Sequence, residues 1–398
     1  MSLSAMWWLL VVLAALAALW AIILLANRRY DLKKRGFTIS PGFVMWRTKR
    51  GLQFIDHVAK SSKRGWRAFG TGAAAIGIFL MAFVFFNVAF NAVITFTQPV
   101  RAIPGVRFVL PGIVPGLTIF AWLVSIASVL FVHEFAHGFV LRAQGLETKS
   151  VGGMLLVALP GAFVEPDEKQ LKKAPILKRL RVFGAGSFAN VLFAFLCLGI
   201  LLILLVPKPG VYVSGVVENY PAENVLDGGM HIYSIDNIHI STYEDFSNFM
   251  SDTKPGQIIQ ISTDNENFQI ELAEHPDNEN KGFIGIGSIS APSRSEFANP
   301  LFVAWVMMSE LTGRSVFHSY VYHARVPWGL IDMIKWMFVL NFGIGLFNLL
   351  PAVPLDGGYI FQGMVERVSS KRTARRVSHA LSIIVLALLI VNFMPMLA

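Results

Sequence analysis

Residues 131–137 contain two histidines and a glutamate at the spacing His-Glu-x-x-His, formed by His133, Glu134 and His137. On an α-helix, side chains four positions apart lie on one face, so both imidazole rings can present a nitrogen atom to one metal ion. Glu134 would stand beside that ion, where its carboxylate can take a proton from a metal-bound water. The pattern predicts a catalytic zinc site, which needs a third protein ligand and one position open to water.

The motif lies in an apolar run, residues 117–141, that is long enough to cross a bilayer. A charged side chain near the middle of a membrane costs about 2.5–3.5 kcal/mol even on permissive scales. The alternative interpretation is two interfacial histidines with a glutamate between them. We favour a metal site, because proteins usually place a charged side chain in the membrane for a function. The third ligand should therefore be found at a similar membrane depth.

The composition is that of a membrane protein rather than a soluble one. The chain has 398 residues, of which 54% are hydrophobic, and its mean hydropathy is +0.56. The net charge of +9 could indicate nucleic-acid binding, but the basic residues gather beside apolar runs, as in cytoplasmic membrane-flanking loops. We therefore expect no nucleic-acid partner. The single cysteine, Cys197, excludes an internal disulfide and makes a thiolate zinc cluster or a catalytic thiol improbable.

The apolar runs predict a polytopic α-helical membrane protein with about six spans and a metal site between helices. The predicted spans are residues 5–26, 72–97, 117–141, 182–206, 330–350 and 378–396. The first span is interpreted as a retained helix rather than a signal peptide, because no basic segment precedes it and no small-residue cleavage site follows it. The predicted regions are 1–70 (N-terminal span and polybasic cytosolic loop), 71–206 (first part of the membrane core), 207–299 (small β-rich domain) and 300–398 (second part of the core).

Several shorter segments have their own signals. Residues 27–70 carry twelve Lys or Arg against two acidic residues, which is typical of a loop lying on an anionic leaflet. Residues 98–116 are dense in Pro and Gly and predict a loop or a shallow re-entrant element. Residues 151–164 are apolar but too short to cross and contain Gly and Pro, so they predict a re-entrant β-hairpin. Residues 301–325 predict an interfacial or partly inserted amphipathic helix.

The distribution of Lys and Arg predicts one orientation. Basic loops precede the second span, precede the fourth and separate the last two, and the positive-inside rule places all three in the cytosol. Both termini and the acidic segment 207–299 are then extracytosolic. His133 and residues 351–357 both fall toward the cytosolic side, so the third zinc ligand should be sought there.

Three sites in the sequence could supply that ligand. Glu165 follows His137 by 28 residues but lies in a charged cytosolic segment. His318 and His323 fall on the outer side in the topology above. Asp356 is the best candidate. It lies between apolar spans, after two prolines and before two glycines, and an acidic residue in such a position usually has a function. The competing interpretation of Asp356 is a solvated cytosolic turn.

Together these motifs resemble the site-2 protease family of intramembrane zinc metalloproteases. The shared features are the His-Glu-x-x-His in a span, the Gly-x-x-x-Asn formed by Gly186 and Asn190, the acidic domain, and residues 348–358 of the form Asn-x-x-Pro-x-x-Pro-Leu-Asp-Gly-Gly. The resemblance covers roughly residues 117–395. It implies that His133, His137 and Asp356 bind zinc and that Glu134 is the catalytic base. It further implies that Asn190 and Asn348 line the substrate cleft, although hydrogen bonding between spans would also explain both asparagines.

The segment 207–299 resembles a PDZ domain, which would admit or exclude substrates by their extracytosolic ends. The family resemblance implies hydrolysis of peptide bonds within transmembrane segments of membrane-anchored substrates, as in regulated intramembrane proteolysis. The expected partners are transmembrane protein substrates and the lipid bilayer. Two alternatives stay open: a membrane zinc protease whose third ligand is a glutamate, and a non-catalytic binding or chaperone-like membrane protein that retains the fold.

Overall fold

The structure is a computed structural model, and it describes residues 3–97, 107, 109–157, 159–223, 225–263, 266–289, 292 and 294–394. The chain divides into two compact units. The first unit comprises Met1–Ile113, Leu117–Cys197 and Trp336–Ala398, and the second comprises Val114–Gly116 and Leu198–Lys335.

The described residues contain helices and strands in both units. The α-helices are α1 (Leu3–Tyr30), α2 (Leu52–Ser61), α3 (Lys63–Thr97), α4 (Ile119–Ala143), α5 (Glu168–Lys173), α6 (Ile176–Leu204), α7 (Tyr243–Ser251), α8 (Pro300–Leu311), α9 (Trp328–Phe347), α10 (Asp356–Val368) and α11 (Lys371–Phe393). The strands are β1 (Phe37–Ser40), β2 (Phe43–Thr48), β3 (Thr148–Leu156), β4 (Leu159–Pro166), β5 (Leu205–Pro207), β6 (Val211–Val216), β7 (His231–Ile235), β8 (Ile238–His239), β9 (Ile258–Thr263), β10 (Asn267–Glu271), β11 (Ala273–His275), β12 (Asn278–Phe283), β13 (Ile286–Ile289) and β14 (Tyr322–Ala324).

Five of the described helices are long and apolar enough to cross a membrane: α3, α4, α6, α9 and α11. They overlap the last five predicted spans, with ends that differ by up to nine residues. The first predicted span, residues 5–26, lies within α1, and the count of six spans stays a prediction.

Helices α4 and α6 pack together through small and branched apolar side chains in the first unit. Ala136 and Val140 of α4 join Val182 and Ala185 of α6 in one buried cluster. Glycine allows close helix contact elsewhere, since a Cβ at Gly184 of α6 would stand 2.8 Å from a backbone oxygen of α3. These contacts fix the register between the helix that carries the His-Glu-x-x-His motif and its neighbour.

The predicted hairpin at 151–164 forms strands β3 and β4, but it is part of a larger sheet. The four strands pair in the order β1-β2-β3-β4, and every pair is antiparallel. Residues 27–70 are therefore not a simple loop, which corrects the sequence prediction. They contain the hairpin β1–β2 and the helix α2, whose buried Ile55 packs against Gly138 of α4. The re-entrant position of β3 and β4 in the membrane stays a prediction.

The second unit is built around a sheet of six antiparallel strands, in the order β10-β9-β7-β6-β13 with β8 paired to β7. Alternate residues of β9 face the core, with Ile259 and Ile261 fully buried. Helix α7 begins with a capping box, in which Thr242 and Asp245 each bond the other's backbone N–H. This strand-rich architecture agrees with the composition of residues 207–299.

The helix predicted over 301–325 is wrong in its length, because α8 ends at Leu311. Gly313 follows in a left-handed conformation, with φ of 79°, which terminates a helix readily. The Glu310 carboxylate then accepts hydrogen bonds from Ser315 Oγ and Val316 N, both at 2.8 Å, and folds the chain back. Of the loop predicted at 98–116, residues 98–106 and 108 lie outside the described residues.

Candidate metal centre

Three side chains converge at one point in the first unit: His133 and His137 of α4 and Asp356, the first residue of α10. His133 Nε2 lies 3.1 Å from His137 Nε2, and each of these nitrogen atoms lies 3.4 Å from Asp356 Oδ2. The side chains are 12–16% exposed. They form the one group of three potential metal ligands found among the described residues.

The spacing of these atoms fits a tetrahedral zinc site. Zinc binds nitrogen and carboxylate oxygen at about 2.0–2.2 Å, so two ligand atoms of a tetrahedron stand about 3.3–3.5 Å apart. The observed distances of 3.1 and 3.4 Å agree with that geometry. Two imidazoles and one carboxylate are also a donor set of catalytic zinc sites, which leave a fourth position for water.

The turn between α9 and α10 brings Asp356 to the histidines. Gly357 N donates a hydrogen bond to Asn348 O at 2.9 Å, so the chain returns on itself after the end of α9. A Cβ at Gly358 would stand 2.5 Å from the backbone nitrogen of Val353, which explains why the sequence places glycine there. The family resemblance implied a substrate contact for Asn348; here its backbone holds this turn, and the side chain is half-buried.

Glu134 contacts the sheet as well as flanking the metal ligands. Its Oε2 accepts a hydrogen bond of 2.9 Å from the backbone N–H of Val164 in β4. Strand β4 is the end of the four-stranded sheet, and Val164 is paired with Val151 of β3. The N–H of Val164 therefore points away from β3, toward the centre, and holds the carboxylate on that side.

Helix α6 supplies a hydrogen bond to each metal ligand. The backbone carbonyl of Val182 lies 2.7 Å from His137 Nδ1. Ser187 Oγ donates to Asp356 Oδ2 at 2.9 Å, and the Asn190 amide lies 3.3 Å from His133 Nδ1. Sequence reasoning missed Val182, Ser187 and Val164. The one available signal concerned Ser187, a polar residue next to Gly186 in the largely apolar part of α6 after Arg181.

The other candidate ligands do not join the group. Glu165 lies on β4, where its carboxylate accepts a hydrogen bond from Ser150 Oγ and faces Arg47 at 3.8 Å. His318 and His323 belong to the second unit, and neither is in the group of potential ligands formed by the described residues. The sequence preference for Asp356 therefore agrees with the observed geometry.

Comparison with known proteins gives a consistent result. The family model described as Peptidase family M50 matches residues 121–392. The protein MJ0971 of Methanocaldococcus jannaschii is 27% identical, over 91% of this chain and 87% of that protein. The protein of Arabidopsis thaliana named "Membrane-bound transcription factor site-2 protease homolog" is 29% identical over 30% of this chain and 24% of that protein. The regulator of sigma-W protease RasP of Bacillus subtilis is 24% identical over 52% of this chain and 55% of that protein.

Several solved structures are similar to a part of this chain. The PDZ domain of the SdrC-like protein Lmo2051 from Listeria monocytogenes is 28% identical and covers 21% of this chain and 92% of that chain, with a TM-score of 0.20.

Proposed function

The chain belongs to peptidase family M50, the site-2 protease family indicated by its motifs, and from this premise we propose that it is an intramembrane zinc endopeptidase. Its reaction would be hydrolysis of peptide bonds within transmembrane segments of membrane-anchored substrates, as in regulated intramembrane proteolysis. The observation that carries the proposal is the convergence of Asp356 with His133 and His137 beside Glu134. The two histidines and Glu134 lie on α4, which is apolar enough to cross a membrane.

In this proposal His133, His137 and Asp356 hold the metal. Zinc bound there supplies Lewis acidity, which activates a water molecule and polarises the scissile carbonyl. Glu134 takes a proton from the attacking water and returns it to the leaving amine. The hydrogen bond from Val164 N to Glu134 Oε2 at 2.9 Å orients the carboxylate for both transfers and leaves the other oxygen free for the proton.

The outer edge of β4 is the proposed docking site for the substrate. A transmembrane helix hides its backbone, so the substrate must unwind before cleavage and can then pair with an exposed strand edge. Backbone groups alternate along a strand, so the N–H and C=O of Ala162 point to the same side as those of Val164. A substrate strand bonded to Ala162 would run past Glu134 and bring its next peptide bonds to the metal ligands.

The orientation is proposed from the distribution of charge. The basic loops place the metal centre toward the cytosol, and both termini and the acidic, strand-rich domain outside. Cleavage at that depth would release a cytosolic fragment. We also propose that the strand-rich domain is PDZ-like and acts on the extracytosolic ends of substrates, and that the surrounding lipid bilayer is the site of the encounter.

The direct test is cleavage of a tagged single-span substrate by the purified protein in detergent, beside Glu134→Gln and Asp356→Ala, with bound zinc measured in every sample. We expect both variants to lose cleavage, the first with zinc retained and the second with zinc depleted. Activity that survives in either variant would contradict the assigned roles. A wild type that binds zinc but cuts none of several substrates would favour a non-catalytic binding protein.

A further inference from the structure

We propose that Asn190 is a positioning residue for the zinc ligand His133, acting through its amide oxygen, and that α6 in this way fixes all three ligands. The inference rests on the proposed zinc site and goes beyond it, because it reassigns Asn190 from the substrate cleft to the support of the metal.

The ring nitrogen that faces the other ligands determines where each histidine carries its proton. His133 Nε2 and His137 Nε2 are the atoms that approach Asp356 Oδ2, so in a metal site both must offer a lone pair. A neutral imidazole then carries its proton on Nδ1, and this N–H needs an acceptor. For His137 the acceptor is the carbonyl of Val182 at 2.7 Å, which cannot act as a donor.

For His133 the corresponding neighbour of Nδ1 is the Asn190 amide at 3.3 Å. With the amide nitrogen facing the ring, Asn190 Oδ1 is buried without a hydrogen-bond partner among the described residues. The two ends of an amide have the same shape, so their assignment follows from the hydrogen bonds they can make. Turning the amide by half a turn lets Oδ1 accept the proton that His133 Nδ1 must donate, which the amide nitrogen cannot do.

Burial separates this role from substrate contact. Asn190 is 0% exposed, and a Cβ on Gly345 of α9 would stand 3.1 Å from Asn190 Cβ. The amide is therefore enclosed between α6 and α9 and faces the ring of His133. An enclosed side chain of this kind can set the orientation of a ligand but has no open surface for a peptide.

Ser187 completes the arrangement on the same helix. It lies three residues before Asn190, is 0% exposed, and donates to the carboxylate oxygen of Asp356 that faces the histidines. Residues three apart lie on one face of a helix. Helix α6 thus presents one carbonyl, one hydroxyl and one amide, and each of them contacts a different zinc ligand.

The test is zinc affinity, measured by competition with a chromophoric chelator on the full-length protein in detergent, with the absorption spectrum of bound Co²⁺ as a second readout. Asn190→Leu keeps the approximate shape but removes the acceptor, and we expect an affinity about 10- to 100-fold weaker. Asn190→Asp keeps an acceptor for His133 Nδ1–H, and we expect affinity and spectrum close to those of the wild type.

Asn392→Leu is the matched control. Asn392 is also 0% exposed, donates to the carbonyls of Val88 and Leu388 at 3.0 and 2.8 Å, and lies outside the ligand group. We expect this variant to lose thermal stability while its zinc affinity stays unchanged. A general loss of helix packing would instead lower zinc affinity in both leucine variants.

Two outcomes would overturn the inference. Unchanged zinc affinity in Asn190→Leu would show that the amide does not support His133. Equal weakening in the Asp and Leu variants would show that the amide acts as a donor or only fills space. These results are distinguishable from failure of the proposed protease, because a wild type that binds zinc without cutting still gives the affinity comparison.

Discussion

Replacing Gly186 with alanine should remove tight zinc binding while leaving the helices in place. A Cβ at this position of α6 would overlap His137 Nε2 and stand 2.8 Å from both His133 Cε1 and His137 Cδ2. Ordinary contacts of a Cβ begin near 3.4 Å, so the His133 ring must retreat by about 0.6 Å and the His137 ring by more. Both rings belong to proposed zinc ligands, and His137 Nδ1 also contacts Val182 O of α6.

That displacement is large on the scale of a zinc bond. Zinc–nitrogen distances in proteins stay within about 0.2 Å of their usual values, so a shift of about 0.6 Å or more detaches at least one ligand. Distortion of supporting residues alone weakens affinity about 10- to 100-fold. For Gly186→Ala we therefore expect a loss of about 100-fold or more, and cleavage should fall with it.

The assay is again chelator competition, with zinc content and the unfolding temperature measured in parallel. Gly199→Ala is the control in the same helix, because a Cβ there has no heavy atom within 4 Å. We expect the control to bind zinc like the wild type and to be no less stable, since alanine favours helices over glycine by about 1 kcal/mol. Wild-type zinc affinity in Gly186→Ala would refute the geometry of the site.

The remaining predictions concern the base, the docking strand and a buried ion pair. Glu134→Gln should lower cleavage about 10²- to 10⁴-fold at unchanged zinc content, measured by single-turnover cleavage. Ala162→Pro should lower kcat/KM about 3- to 10-fold, the value of one backbone hydrogen bond, whereas Ala162→Val, which keeps the N–H, should not. Lys335 lies 3.4 Å from the Glu310 carboxylate, whose side chain is 1% exposed. Because Lys335→Met leaves this buried carboxylate without its cation, it should lower the free energy of unfolding by about 3–5 kcal/mol and the unfolding temperature more than Lys335→Arg.

The two histidines of the candidate metal centre were predictable from sequence because their spacing is local. His133 and His137 are four residues apart on one helix, so their shared face follows from helical geometry alone. Asp356 required a second step. The distribution of the basic loops predicted that residues 351–357 lie toward the same side of the membrane as the His-Glu-x-x-His motif. The convergence of the three side chains at 3.1–3.4 Å agrees with both steps.

The supporting residues could not be found in the same way. Ser187 and Val182 act across a helix contact. After Arg181 the sequence of α6 is apolar except for Ser187 and Asn190, and two polar residues are too few to indicate which backbone carbonyl meets α4. Val164 contributes only a backbone N–H, which every residue but proline possesses. Such contacts depend on the register of packed elements, and that register comes from packing such as that of Gly184 against α3.

The hairpin formed by β1 and β2 had a sequence signal, but the basic residues around it favoured another interpretation. Residues 37–40 alternate apolar and polar side chains, and Pro41-Gly42 is a strong turn signal before β2. The dense Lys and Arg around this hairpin favoured a membrane-flanking loop instead. Pairing of β2 with β3 occupies one edge of the hairpin beside the metal centre, so β4 keeps the edge that Glu134 contacts. The N-terminal segment thereby restricts strand addition near Glu134 to the single edge on which Ala162 lies. Ala162→Pro therefore tests the proposed docking of substrate more directly than any change in β1 or β2.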